Sequence, residues 1–278
     1  MTSDMVFAAG RVAVITGAAS GIGLAAAEHC AKLGMHLALI DIQNDRLSEA
    51  VKALSGTTRV VGYSVDVKDA AAMTHIAAQI SKEFGSVSVL FANAGIQPGS
   101  KMFDAEDQWR RILDVNFFGI VNTVNAFSSA MLAAHQPAKI LITGSKQGIT
   151  TPPGDPAYNI SKAAVKTFAE ALAHELRNRP DCTISVHLVI PGFVWTPLTY
   201  SGRTEKPAGA WTPAQTVDFV MAAVKRNEFY ILCPDNDVTR ALDEQRIAWA
   251  AGDIIENRPP LSRWHKDYAA AFTASLKP

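Results

Sequence analysis

The 278-residue sequence predicts a single α/β domain, a doubly wound parallel sheet of about seven strands flanked by helices. Three observations carry that prediction. Seven short apolar runs of strand length recur along the chain, most of them too apolar for a sheet with one wet face. Helix-length segments separate most of them, and repeated strand–helix alternation implies parallel strands joined by right-handed crossovers. Neither an internal repeat, a low-complexity tract nor an evident linker marks a second unit. Residues 1–278 are therefore read as one domain, with a core over about 10–235 and a helical tail over 236–278.

In chain order, "RVAVIT" (11–16) is the first strand, and a glycine-rich turn leads into a helix over 21–34. "HLALID" (36–41) is followed by a helix over 44–55, and "RVVGYS" (59–64) by one over 69–85. "SVLFAN" (88–93) precedes a long helix over 106–134, and "KILITG" (139–144) precedes one over 157–178. "ISVHLVI" (184–190), a helix over 213–227 and "FYILCP" (229–234) complete the alternation. Beyond them, 238–256 reads as an amphipathic helix, followed by a Pro259-Pro260 break and an aromatic tail.

Composition narrows the function. Only 19% of residues are charged, and 26 basic residues balance 26 acidic ones, which argues against nucleic acid or an anionic membrane as the main partner. No run of 18 uninterrupted apolar residues suggests a membrane span, and the N-terminus does not read as a secretory signal. Cys30, Cys182 and Cys233 are odd in number and far apart, fitting free thiols in a reducing cytoplasm better than disulfides or zinc. Histidines 29, 75, 135, 174, 187 and 265 are scattered, so no metal site is expected.

The candidate site begins at "TGAASGIG". Gly17, Ser20, Gly21, Ile22 and Gly23 lie between the first strand and the first helix, where glycines let the turn close and let backbone N–H groups approach a phosphate. Taken alone, such glycines also serve a tight turn. Asp41 ends the second strand, where a carboxylate can accept hydrogen bonds from ribose hydroxyls and repel a 2′-phosphate. NAD is favoured over NADP on that ground. The plain alternative is that Asp41 caps the helix beginning near Asn44. Asp66-Val67 and Asn93-Ala94-Gly95 follow the third and fourth strands, where ligands gather in open α/β sheets.

With Asn116 in "DVNFFG", Ser145 in "ITGSKQG", Tyr158 and Lys162 in "YNISK", and "PGFVWT" at 191–196, the set resembles the short-chain dehydrogenase/reductase family in its ordinary-length branch. The likeness covers residues 10 to about 200. It implies a single Rossmann-type domain with a seven-stranded sheet, a nicotinamide dinucleotide and alcohol–carbonyl oxidoreduction. A free tyrosine is a poor base at neutral pH, and an ammonium one helical turn along favours its phenolate. Tyr158 is then the acid/base and Lys162 its partner, which in the family also holds the nicotinamide ribose. The resemblance makes Ser145 a hydrogen-bond partner of the substrate oxygen and Asn116 the keeper of a water chain to Lys162. Each has a plain alternative: Ser145 as a strand end, Asn116 as the satisfier of a backbone carbonyl. In the following loop, Pro191 and Gly192 turn the chain, while Val194 and Thr196 would meet the nicotinamide carboxamide or the phosphates.

Two departures stand out. Thr143-Gly144 precedes Ser145 where the family often has another serine. The C-terminus lacks the family's Asp-Gly-Gly ending, and its tail could close the pocket mouth, meet another subunit or cover the sheet edge. Trp249, Trp264 and Tyr268 read as core or interface anchors. Gln97, Gln147, Phe193, Trp195 and Leu198 should bound the substrate pocket, with 199–211 as a lid. That lining points to a hydrophobic or aryl secondary alcohol or its ketone as the small-molecule partner. The competing readings are a cyclic diol or dihydrodiol dehydrogenase and a non-catalytic dinucleotide-binding redox regulator. A homodimer or homotetramer is expected.

Overall fold

All seven predicted strands form in the computed structural model, each ending within two residues of its predicted limits. The structure describes residues 5–276; the first four and last two residues of the predicted domain lie outside the described residues. The strands are β1 (Val12–Thr16), β2 (His36–Asp41), β3 (Val60–Ser64), β4 (Val87–Ala92), β5 (Ala138–Thr143), β6 (Ile184–Ile190) and β7 (Tyr230–Leu232). They make one parallel sheet in the order β3-β2-β1-β4-β5-β6-β7. Strand order reverses direction between β1 and β4, the place where open sheets of this kind leave a crevice at the carboxyl ends.

Alternation along the strands divides the core into two layers. Leu39, Phe91 and Leu141 belong to one buried cluster, and their chain neighbours Ile40, Leu90 and Ile142 belong to the other. A strand with apolar residues on both faces must be covered on both, and the departures fall on the edge strands, most of β3 and Tyr230 of β7. Helices α1 (Gly21–Lys32), α2 (Asn44–Leu54) and α3 (Ala70–Phe84) form the first crossovers.

The helix expected over 106–134 is interrupted. It consists of α4 (Glu106–Leu113), a π-helical turn at Asp114–Phe118 and α5 (Gly119–Ala133). The extra residue in the wider turn leaves Asn116 fully buried. Periodicity cannot distinguish such a turn from regular helix. Glu106–Ala133 has the length and hydropathy to cross a membrane, but α5 packs on α3, β4 and β5, as a core helix does.

After the short α6 (Gln147–Thr150) comes α7 (Pro156–Asn178), which starts with a proline at its first position and buries Tyr158, Ser161, Lys162, Val165 and Ala169 along one stripe. Helix α8 (Pro213–Lys225) carries a full capping box from Thr212 and Gln215. The tail forms α9 (Arg240–Ile255) and α10 (Ala269–Ser275) and fastens itself internally. The Trp249 indole donates to Ser262 Oγ at 2.8 Å, and the Arg258 guanidinium lies 4.1 Å from the Trp249 ring. Helix α9 also packs on α6, next to the crevice.

Candidate active site at the carboxyl ends of the strands

The glycine-rich turn works by close approach. Gly17 has φ of +65°, and a Cβ there would sit 2.9 Å from Ala94 Cα. A Cβ on Gly23 would lie 2.1 Å from the Gly17 carbonyl oxygen, so the first turn of α1 can dock on the loop only with hydrogen at that position. Asn93 holds the neighbouring strand ends together. Its Nδ2 donates to the Thr16 carbonyl at 3.1 Å, and its Oδ1 accepts from the Thr143 hydroxyl at 3.0 Å. That bond gives the threonine that stands in place of the family's common serine a structural part.

Both oxygens of Asp41 accept backbone N–H groups, Oδ2 from Ala19 and Oδ1 from Gln43, each at 2.9 Å. The carboxylate is nearly buried, yet it borders the crevice. It thus bridges the glycine turn to the start of α2, and a capping contribution and a ligand-facing position coexist. Asp66 accepts from the Lys68 amide at 3.1 Å, and the Val67 carbonyl accepts from Asn122 at 3.0 Å.

The polar centre lies under β5 and α7. Tyr158 and Lys162 are 6% and 3% exposed, and the Ser145 hydroxyl accepts from the Gln147 N–H at 3.1 Å and lies close enough to the phenol to pull against its upward shift. Lys162 Nζ donates to the Thr143 carbonyl at 2.9 Å and stands 5.8 Å from the Tyr158 ring centre. The expected lowering of the phenol by Lys162 is not what this structure shows. Burial dominates, pushing Tyr158 up to about 12 against the opposing pull of the Ser145 hydroxyl, and pushing the Lys162 ammonium down to about 8. Asn116 clasps the backbone of Ile96, accepting from its N–H at 2.7 Å and donating to its carbonyl at 2.9 Å. A Cβ on Gly95 would meet Asn116 Oδ1 at 3.3 Å and Lys162 Nζ at 3.7 Å, so amide and ammonium both crowd the face of that glycine where a side chain would stand.

The predicted site residues line one cavity of about 670 Å³, with three exceptions. Gly23 acts by packing behind the loop, Asn116 is buried beneath the floor, and Trp195 turns away. Trp195 stacks on Tyr200 at 4.2 Å between ring centres, and its backbone N–H donates to the Trp211 carbonyl at 2.8 Å. This corrects its placement as a pocket wall: the extended pair Val194–Trp211 directs alternate side chains away from the cavity. The same pairing ties the base of the segment 199–211 to the loop after β6. Leu198 and Thr199 do reach the cavity.

Sequence reasoning missed an ionic seam beside this centre. Lys146, next to Ser145, pairs with Asp243 of α9 at 2.5 Å and with Asp235 at 3.5 Å. Asp235 also accepts the Phe193 N–H at 3.0 Å, fixing the turn at Gly192. Burial holds the Asp243 carboxyl above its ordinary value despite the pull of Lys146. Val238 and Arg246 line the cavity, so the tail forms part of the pocket mouth. A clue was present in Asp243 and Arg246, three positions apart and so on one face of a helix.

Residues 11–207 match the model of the short chain dehydrogenase family. The chain belongs to that family. Among curated relatives, it is 32% identical over 231 residues to human epidermal retinol dehydrogenase 2, covering 81% of this chain and 74% of that one. It is also 32% identical over 194 residues to the 2,3-dihydro-2,3-dihydroxybenzoate dehydrogenase of Bacillus subtilis, covering 69% and 73% respectively. A short-chain dehydrogenase/reductase from Burkholderia phymatum, solved with NAD, superposes with a TM-score of 0.83 at 30% identity, covering 91% of this chain and 97% of that one. The alcohol dehydrogenase of Thermococcus sibiricus, solved with 5-hydroxy-NADP, gives 0.69 at 28% identity and covers 77% and 90%. This short-chain dehydrogenase is thus an oxidoreductase with a dinucleotide cofactor. The residues present fit such a cofactor. Bare glycines clear the cradle beside the α1 N-terminus, and one cavity joins Asp41 to Tyr158.

Proposed function

We propose that this short-chain dehydrogenase is an NAD-dependent enzyme that interconverts a hydrophobic or aromatic secondary alcohol and its ketone, with Tyr158 as acid/base. The observation that carries the reading is the buried group of Tyr158, Ser145 and Lys162 at one end of the cavity that also holds Asp41. When bound, the nicotinamide would supply the acceptor or donor of the hydride. The loop Gly17–Ile22, Asp41, Asp66, Lys162 and the turn from Pro191 to Thr196 would hold the dinucleotide. Asp41 supports NAD, because an already buried carboxylate repels an added 2′-phosphate.

The remaining steps belong to the side chains. The Ser145 hydroxyl orients the substrate oxygen towards the phenol. In ketone reduction, Tyr158 donates its proton to that oxygen, a task suited to a phenol that burial keeps protonated at neutral pH. In alcohol oxidation it must first lose the proton, so that direction gains with rising pH. Lys162, its ammonium weakened to about 8, can pass a proton onward, while Asn116 positions the adjoining Ile96 backbone. Tyr158→Phe should lower turnover by about 10²-fold or more and leave NADH binding near normal; wild-type turnover would remove Tyr158 from the mechanism.

A second reading is oxidation of a cyclic diol or dihydrodiol. The Bacillus relative bears the name of such a substrate, and Gln97 and Gln147 both reach the cavity, where an amide can receive a second hydroxyl. Strong preference for vicinal diols over matched mono-alcohols would select it. The regulator reading loses support from the assembled polar centre. Exposed Phe118 and Ile160 support a homodimer or homotetramer, which light scattering measures directly. Three free cysteines, two of them buried, agree with a reducing cytoplasm.

A further inference from the structure

We propose that Arg246 anchors a carboxylate carried by the substrate, so that the enzyme takes hydroxy acids and keto acids. The inference rests on the alcohol–ketone reading above and narrows its substrate class. Arg246 stands on α9 and lines the cavity, and its Nε is buried without a hydrogen-bond partner among the described residues. No hydrogen bond or ion pair among the described residues engages the rest of that guanidinium, and a carboxylate in the cavity would supply the acceptors.

The nearby carboxylates are already engaged. Asp243, one turn earlier on α9, pairs with Lys146 at 2.5 Å and feels Arg246 as a second, more distant cation. Asp235 shares Lys146 at 3.5 Å and accepts the N–H groups of Phe193, Asp237 and Val238 at 3.0, 3.1 and 2.8 Å. Arg263 adds another cation close to Arg246 and Asp243, its guanidinium held 4.7 Å from the Trp264 ring. Lys146, Arg246 and Arg263 thus face two carboxylates, which leaves one positive charge over, and of the two arginines Arg246 is the one that lines the cavity. A single surplus charge on a planar fork matches a carboxylate better than a phosphate, which carries nearly two charges. Phe193, Leu198 and Val238 supply the apolar wall for the body of the molecule.

The experiment compares acids with their methyl esters in NAD reduction by the full-length enzyme: 4-hydroxycyclohexanecarboxylate, 4-(1-hydroxyethyl)benzoate and 12-hydroxyoctadecanoate. A charge-assisted pair of this kind predicts kcat/KM about 10- to 100-fold higher for the acid. Arg246→Gln should bring the acid down to the level of its ester, and Arg246→Lys should keep part of the preference. Equal or better use of the esters by wild type overturns the proposal, as does equal loss of acid and ester in Arg246→Gln. If no pair is turned over, the alcohol reading fails instead. Calorimetry with 4-tert-butylbenzoate and 4-tert-butylbenzamide on the enzyme–NAD complex then decides the anchor: tighter binding of the acid, lost in Arg246→Gln, upholds it, and equal binding overturns it.

Discussion

Replacing Gly23 by alanine tests whether the cofactor end is built by contact distance. The new methyl would lie 2.1 Å from the Gly17 carbonyl oxygen and 2.8 Å from Asn93 Nδ2. Relief requires the first turn of α1 to withdraw from the loop by about 1.4 Å, since non-bonded contacts of this kind settle near 3.5 Å. Overpacking of this sort costs about 1–3 kcal/mol. Withdrawal also strains the Asn93 bonds to Thr16 and Thr143, each worth about 1 kcal/mol. The sum is about 2–4 kcal/mol, a fall in Tm of roughly 3–7 °C for a chain of this size. Because the same turn forms the cradle, NADH affinity should fall with it. Gly56→Ala is the control: a Cβ there meets nothing within 4 Å, so the change should stay within about 0.5 kcal/mol. Thermal unfolding by circular dichroism, with an NADH titration followed by fluorescence, reads both quantities. A Gly23→Ala protein with wild-type Tm and wild-type NADH affinity would refute the reasoning.

Other perturbations bear on the same site. Asp41→Asn removes the charge and keeps the shape; the ratio of kcat/KM for NADP to that for NAD should rise about 10-fold or more, and an unchanged ratio would show that the carboxylate does not select the cofactor. For proton transfer, alcohol oxidation should climb between pH 6 and pH 8 while ketone reduction does not, because burial holds the Tyr158 phenol high; a flat oxidation profile at saturating NAD would count against Tyr158 as base. His187 supplies a stability test away from the chemistry. It is buried, its Nδ1 pairs with the Glu228 carbonyl at 2.7 Å, and burial pushes it down to about 4 from 6.5. Between those values the unfolded chain binds a proton that the folded chain refuses, so stability should fall as pH drops from about 6.5 to 4. The loss is on the order of 3 kcal/mol. Urea unfolding at pH 7 and pH 4.5 measures it, and His187→Gln should show a smaller difference.

The strands were legible because burial on both faces writes itself as continuous apolar runs: His36–Asp41 and Ile184–Ile190 were located to the residue. The glycine turn, Asp41 and the pair Tyr158–Lys162 were legible because each sits at a fixed offset from such a run. What escaped was tertiary. The π turn at Asn116 changes the helix by one residue, too little to disturb its apolar period. Trp195 has the composition of a pocket wall, but strand pairing with Trp211 sets its direction. Lys146 meets Asp243 across nearly a hundred positions, and no local pattern records that meeting.

The position of α9 has a consequence for how this enzyme can diversify. The groups proposed to move the proton all precede Leu198, whereas Val238 and Arg246 reach the cavity from beyond the last strand. On the proposal above, part of the choice of substrate resides in a stretch of chain that can vary separately from the catalytic groups, while Gln97, Gln147 and Phe193 hold the other part. Exchange of the terminal helices, with Lys146 and its acidic partners kept as the joint, should redirect the enzyme among alcohols without rebuilding its chemistry.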